Sequence, residues 1–350
     1  MPMKNSLTAS QLIAIGLSVG LSTPVLARDL TIVNWGGPPQ VLQRELYYSP
    51  FTKETNVTVV EDSWTGGYGV LKAKVDSQQI NWDVVQVESD EEALGCADGI
   101  FEMLDWNLIG NRDDFYPGTA TDCGVGTNVY AFVLAYNGDR IADGPTSWSD
   151  LWDVERFPGK RSMRKGAKGT LEIALLGDGV PMEEVYDVLS TPEGVDRAFA
   201  KLDEIKSDVV WWESTAQVMQ LLASGEVAMG EAYDAPITRV IKNENSPLKI
   251  VWNDSLRATD YWVVLKGSPL TAEAMQLVAF MSRPESLAQY AERLPVGVPN
   301  AKAMTLVPEP VADLLLSAPK NYEQSAPIDK DFWLDNGEEL TRRFNAWLAQ

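Results

Sequence analysis

The sequence predicts an α/β protein of two lobes, each built on a mainly parallel sheet with helices on its faces. Two observations carry this. Short apolar runs ended by turn residues alternate with amphipathic runs from residue 29 to 98, and the same grammar returns after residue 138. The chain has 350 residues, more than one hydrophobic core usually serves.

Residues 29–34 (DLTIVN) read as a strand that ends in the turn Trp35-Gly36-Gly37-Pro38-Pro39. Val41, Leu42, Leu46 and Phe51 then recur at helical spacing. Residues 57–60 form a strand, 61–67 (EDSWTGG) a loop, and 68–79 a helix with Leu71 and Val75 on its apolar side. A strand at 82–87 leads into a helix over 88–98 with an acidic start. Parallel strands linked by helices place ligands beyond their carboxyl ends, here Trp35, the 61–67 loop and Glu88.

Residues 129–137 (VYAFVLAYN) form a long apolar strand, and Gly138, Pro145 and Trp148 mark a change of lobe. The second lobe reads as helices near 171–177, 181–189 and 193–206, strand 208–212, helix 215–224, and strands 226–230 and 248–253. A strand at 260–265 and helices near 271–281 and 284–293 return to the first lobe, and 338–349 is an amphipathic helix. The expected division is 28–137 with about 258–320 as one lobe and 138–257 as the other. The helices of 321–350 pack across both.

Composition narrows the chemistry. With 29 Lys and Arg against 50 Asp and Glu, the formal net charge is -21, which disfavours nucleic acid as a partner. There is no histidine, so Ser-His-Asp and Cys-His catalysis and histidine-ligated metals are excluded. Two cysteines are too few for Cys₄ sites or iron–sulfur clusters. Phosphate-binding and calcium-loop motifs are absent, and no cofactor or metal is expected.

Lys4, the apolar stretch Leu12–Leu21, Pro24 and Val25-Leu26-Ala27 read as a secretory signal peptide over 1–27, cleaved after Ala27. A membrane anchor is the alternative, but about ten apolar residues do not span a ~30 Å hydrocarbon core. The expected compartment is the periplasm. In such an oxidising space Cys96 and Cys123 most simply form a disulfide, the alternative being two buried thiols.

Two constellations could bind a ligand. Aromatic and acidic residues recur where strands end: Trp35, Trp64, Tyr68, Glu88, Asp90, Trp212, Glu213, Tyr233, Asp234, Asp260 and Trp262. Indole faces and carboxylates around one cleft suit an ammonium group. Read blandly, the same residues pack cores and cap helices. The second constellation is the basic run Arg156, Lys160, Arg161, Arg164, Lys165 and Lys168, followed by Gly169-Thr170 at a helix start, which suits a carboxylate. A solvated loop or a patch for a partner protein is the alternative.

Asn34-Trp35, WSDLWD at 148–153, PGK at 158–160, GEVAMGEAYD at 225–234, DYWVVLKG at 260–267 and PVGVPN at 295–300 occur in an order that resembles the spermidine/putrescine-binding branch of periplasmic solute-binding proteins. The resemblance covers essentially all of 29–350. It implies the type II periplasmic-binding-protein fold, two lobes closing like a jaw on one small molecule. The implied protein is a monomer that delivers its ligand to the permease of an ABC importer and catalyses nothing. Trp35 matches the family's aromatic after the first strand, Tyr233 its aromatic after Gly-Glu-Val, and Asp260 its carboxylate before the return strand. Thr215 lies where the family places a hydroxyl contact. Gly36, Tyr68, Glu88, Trp212 and Asp234 complete the expected amine site.

The sequence departs from that branch at Arg164-Lys165-Gly166-Ala167-Lys168-Gly169, where polyamine binders carry acids. Added positive charge opposes a second ammonium. Arg164, Lys168 and the amides around Thr170 are therefore expected to hold a carboxylate. The expected ligand is a polyamine-like amine, an ω-amino acid or an opine-like zwitterion. An anionic organic acid is the alternative binding function, and a secreted hydrolase using paired carboxylates is the rival from another class.

Overall fold

The computed structural model describes Met1 and residues 28–350. The expected signal peptide and its cleavage point after Ala27 lie outside the described residues, Met1 apart. Among the described residues no helix is long and apolar enough to cross a membrane.

Among the described residues nine strands form one sheet: β1 (Leu30–Asn34), β2 (Val59–Ser63), β3 (Val84–Val87), β4 (Gly124–Asn137), β5 (Lys160–Arg164), β6 (Val209–Trp212), β7 (Val227–Tyr233), β8 (Leu248–Val264) and β9 (Ser325–Pro327). Their order is β2-β1-β3-β8-β4-β7-β5-β6, with β9 on β8. At one end β2, β1 and β3 are parallel, and at the other β7, β5 and β6 are parallel. Between them β8 and β4 run antiparallel to each other and to their outer neighbours. The fold is the expected type II architecture of mixed sheet and flanking helices. Two separate sheets were not required, because β4 and β8 pair along nearly their whole length.

That pairing also joins what the sequence presents as two strands, 248–253 and 260–265. Asn253-Asp254 reads as a strand end, yet Asp254 accommodates a φ of 54°, as Asp and Asn do at little cost. The register jumps from Leu134 opposite Val251 to Phe132 opposite Leu256, so the extra residues bulge out while the ladder continues. A second irregularity at Thr127 sets Asn128 directly opposite Asp260.

The expected helix after Trp35 is a continuous run from Gly37 to Thr55 with a π turn at Arg44–Tyr48. Pro50 has no N–H to reach residue 46, and the ladder slips so that Ser49 N–H meets the Arg44 carbonyl. The C-terminal helix begins earlier than its periodicity suggests, at Lys330, and runs to Leu348 through Gly337. Asp329 caps it by accepting from the Asp331 and Phe332 amides. Trp333 and Trp347 anchor it by donating to Glu172 at 2.6 Å and to Asp203 at 2.7 Å.

Apolar clusters lie on both sides of the sheet. Leu30, Ile32, Val84, Trp262 and Val264 pack beneath helices Thr271–Met281 and Pro284–Arg293. Val33, Leu71, Val85, Tyr261 and Val263 form the core on the opposite side. Phe132, Leu171, Leu175, Phe199 and Phe344 build the largest cluster, at the β5–β7 end. Cys96 and Cys123 are joined as a disulfide with Cα atoms 5.7 Å apart, tying helix Ser89–Ala97 to the start of β4.

Candidate functional site

At the end of β1, Gly36 adopts a φ of 73°, open to glycine without strain, and its amide donates to Asn34 Oδ1 at 2.9 Å. Asn34 is itself held by Gln43 and Tyr48. This turn presents the Trp35 ring, which stacks on Trp64 with centroids 5.5 Å apart and planes 7° from parallel. The Trp35 indole N–H donates to Asp260 Oδ2 at 3.0 Å, and Gln86 donates to the same oxygen at 3.2 Å. Burial pushes the Asp260 carboxyl up to about 7, and the Glu88 charge adds to the rise, while hydrogen bonds from Trp35, Gln86 and Asn128 act against it.

Across from this corner, β5, β6 and β7 end at Arg164, Trp212 and Tyr233. Tyr233 packs against Phe132, Tyr130 and Trp212 at 5.0, 5.7 and 5.6 Å. The Arg164 guanidinium lies over Phe132 at 5.9 Å and makes no ion pair with any described residue. Burial opposes its charge, but Tyr233, Glu231, Glu88 and Tyr130 together raise its pKa. Its backbone amide donates to Glu231 Oε2 at 2.9 Å. Glu231 is fully buried, its other oxygen has no partner, and burial lifts its carboxyl to about 7.

A cleft of about 390 Å³ opens between these corners, lined by Trp35, Glu88, Asn128, Tyr130, Thr215, Tyr233, Pro236 and Asp260. Behind Asp260 a recess of about 160 Å³ is lined by Gly36, Asn34, Gln43, Gln86 and Tyr290 among others. Trp35, Glu88, Thr215, Tyr233 and Asp260 are thus brought together, with Gly36 at their edge. Thr215 opens helix Thr215–Ser224, whose cap Ser214 accepts from the Gln217 amide.

Other expected site residues stand elsewhere. The Tyr68 hydroxyl donates to Asp98, outside the cleft lining. Trp212 is 2% exposed and donates to the Glu231 carbonyl at 3.1 Å, so it buttresses Tyr233 from behind. Asp234 is buried with Oδ1 accepting from the Ala131 amide at 2.9 Å, and burial lifts its carboxyl to about 7. It fixes helix Asp234–Glu244 to β4. Glu213 is exposed and pairs with Lys165 at 2.6 Å, and Trp262 is a core residue. The amides at Thr170 are not open to a ligand: Thr170 is fully buried, and Gly169 N–H donates to Glu172 at 2.9 Å.

The basic run divides in the same way. Arg161 is fully buried and donates to the carbonyls of Leu151, Gly159 and Asp153, a purely structural role. Lys168 reaches Asp90 at 3.2 Å and Glu88 at 3.5 Å instead of standing open. Arg164, half-buried, makes no ion pair with any described residue and lies over Phe132 beside the cleft aromatics Tyr130 and Tyr233. Gln86, Asn128, Tyr130 and Pro236 escaped the sequence reading. A signal for Asn128 existed in the polar pair Thr127-Asn128 ahead of an apolar strand. Among the described residues no cluster of three or more His, Cys, Asp or Glu could hold a metal.

Residues 47–318 match the bacterial extracellular solute-binding protein family. The chain belongs to that family. This solute-binding protein is 44% identical over 341 residues to the gamma-aminobutyric acid-binding protein of Pseudomonas aeruginosa, covering 97% of each chain. It is 24% identical over 325 residues to the spermidine/putrescine-binding periplasmic protein of Escherichia coli, covering 88% of this chain and 87% of that one. A solved GABA receptor superposes with a TM-score of 0.84 at 34% identity, covering 92% of this chain and 98% of the other. The solute-binding protein is a carrier and not an enzyme.

Proposed function

We propose that this protein captures a short zwitterion of the ω-amino-acid class, best represented by 4-aminobutyrate. In this reading Asp260 receives the ammonium beside the Trp35 ring and Arg164 receives the carboxylate. The protein is the substrate-binding component of an ABC importer and works in the periplasm, handing its ligand to the membrane permease. One observation carries the ligand reading. Asp260 is a buried carboxylate of the cleft wall that forms no ion pair, and Arg164, half-buried over Phe132 and beside the cleft residues Tyr130 and Tyr233, is a cation that forms none with any described residue. A diamine would set its second ammonium against Arg164, and a dicarboxylate would set one end against Asp260. The relative that shares 44% identity, a gamma-aminobutyric acid-binding protein, supports the same polarity.

Residues 28–137 with 258–320 would close against 138–257, bending where β4 and β8 cross between the two parallel ends. Calorimetry of the purified protein with 4-aminobutyrate, putrescine and succinate tests the ligand. Binding of 4-aminobutyrate well ahead of the other two is the expected result. Tight binding of putrescine or succinate, with none of 4-aminobutyrate, overturns the reading. A thermal shift reports the same ranking, since ligand at 100 times Kd stabilises by about 2.7 kcal/mol.

A further inference from the structure

Lys168 lies between β5 and helix Thr170–Gly177, and its ammonium reaches the start of helix Ser89–Ala97, which follows β3. There it meets Asp90 Oδ1 at 3.2 Å and Glu88 Oε2 at 3.5 Å, with its side chain only 18% exposed. Glu88 and Asp90 start the helix that follows β3, and Glu88 lines the ligand cleft. Burial works against the Lys168 charge, yet the two carboxylates more than offset it and hold the ammonium protonated.

We propose that Lys168 is a tethered ammonium that fills the place of a ligand's second amine and so restricts the cleft to ligands with one. The inference rests on the zwitterion reading and names its specificity determinant. The chemistry is direct, because a lysine side chain ends in the same primary ammonium as an aliphatic diamine. Glu88 is close enough to Asp260 to raise its pKa, so both carboxylate positions face the same small cleft. Remove Lys168 and the cleft carboxylates Asp260 and Glu88, with Asp90 next to Glu88, stand against the neighbouring Arg164, a charge balance that favours a dication. With Lys168 in place Glu88 and Asp90 share one ammonium, which balances one of their two charges and occupies both as ion-pair partners, and Asp260 is left as the unpaired acceptor of a free ammonium.

The test compares wild type, Lys168→Met, and Lys168→Met combined with Glu88→Gln and Asp90→Asn. Met keeps most of the aliphatic stem, and melting curves without ligand check that each variant folds. Each protein is titrated calorimetrically with putrescine and with 4-aminobutyrate. Putrescine affinity is expected to rise at least about tenfold in Lys168→Met, the gain from one charge-assisted hydrogen bond. It should fall back in the triple variant, with 4-aminobutyrate changing less than putrescine throughout. Unchanged putrescine affinity in folded Lys168→Met, or a gain that survives loss of both carboxylates, overturns the proposal. Failure of the zwitterion reading shows separately, as wild type that does not bind 4-aminobutyrate. The putrescine ratio between wild type and Lys168→Met is read independently of that result.

Discussion

Trp35 and Asp260 stand 225 positions apart in the chain and 3.0 Å apart in space, the indole N–H donating to the carboxylate. The bond joins the end of β1 to the middle of β8 and does two things at once. It holds a half-exposed aromatic face upright beside the carboxylate, and it favours the charged form of a group that burial drives toward neutrality.

Asp260→Asn is expected to cost several kcal/mol of affinity for 4-aminobutyrate, on the order of a hundredfold or more, because the bound ammonium loses its counter-charge in a desolvated site. Trp35→Phe keeps a smaller aromatic face and removes the hydrogen bond to Asp260, so a smaller loss, about 3–15-fold, is expected. Calorimetry of both variants checks the order. Equal losses would mean that Trp35 acts through something other than its N–H.

Arg164→Gln should weaken 4-aminobutyrate by about 10–100-fold. The same variant should leave n-butylamine, which lacks the carboxylate, unaffected or bound slightly better. The four affinities close a cycle: if guanidinium and carboxylate meet, deleting either one makes deletion of the other nearly free. Additive losses would place the carboxylate away from Arg164.

The alternation of residues 29–98 is legible in the sequence because each strand there is a short apolar run ended by a turn. Trp35 and Glu88 follow from it directly as strand-end residues. What links the two halves is not legible, since the pairing of Asn128 with Asp260 depends on bulges at Thr127 and near Asp254 that have no local signature. Tyr233 and Asp234 look equivalent as neighbours at a strand end, yet Tyr233 lines the cleft and Asp234 turns into the backbone of β4. The basic run is visible in the sequence as a concentration of positive charge, but sequence cannot sort its members. Arg161 is absorbed by three carbonyls and Lys168 by acids 78 and 80 positions away.

The Cys96–Cys123 bond closes a separation of 27 residues. In the chain-entropy account such a cross-link stabilises by about 3.5 kcal/mol, and Cys96→Ala with Cys123→Ala should lower the denaturation midpoint accordingly. Thiol titration of the unfolded, unreduced protein should find no free thiol. Ligand affinity should change little, because neither cysteine lines the cleft.

The pH dependence separates the cleft from the core. Asp260, Asp234 and Glu231 all have carboxyls raised to about 7 by burial. Between their ordinary values near 4 and about 7 the folded protein therefore holds protons that the unfolded chain has released. Unfolding releases protons in that range, so the ligand-free protein should lose stability as pH rises from 5 to 8. Asp234→Asn should flatten that decline in melting curves. Binding has the opposite slope, because an ammonium favours the charged form of Asp260. Association below about pH 7 should release a proton, and affinity for 4-aminobutyrate should strengthen from pH 5 to 8. Calorimetry in two buffers of different ionisation heat measures the proton count, expected to approach one near pH 5.5 and to vanish near pH 8. Asp234→Asn should leave this count unchanged, since its carboxyl serves the Ala131 amide rather than the cleft, whereas Asp260→Asn should abolish it. A wild-type affinity that stays flat from pH 5 to 8 would show that the ligand's ammonium does not rest on Asp260.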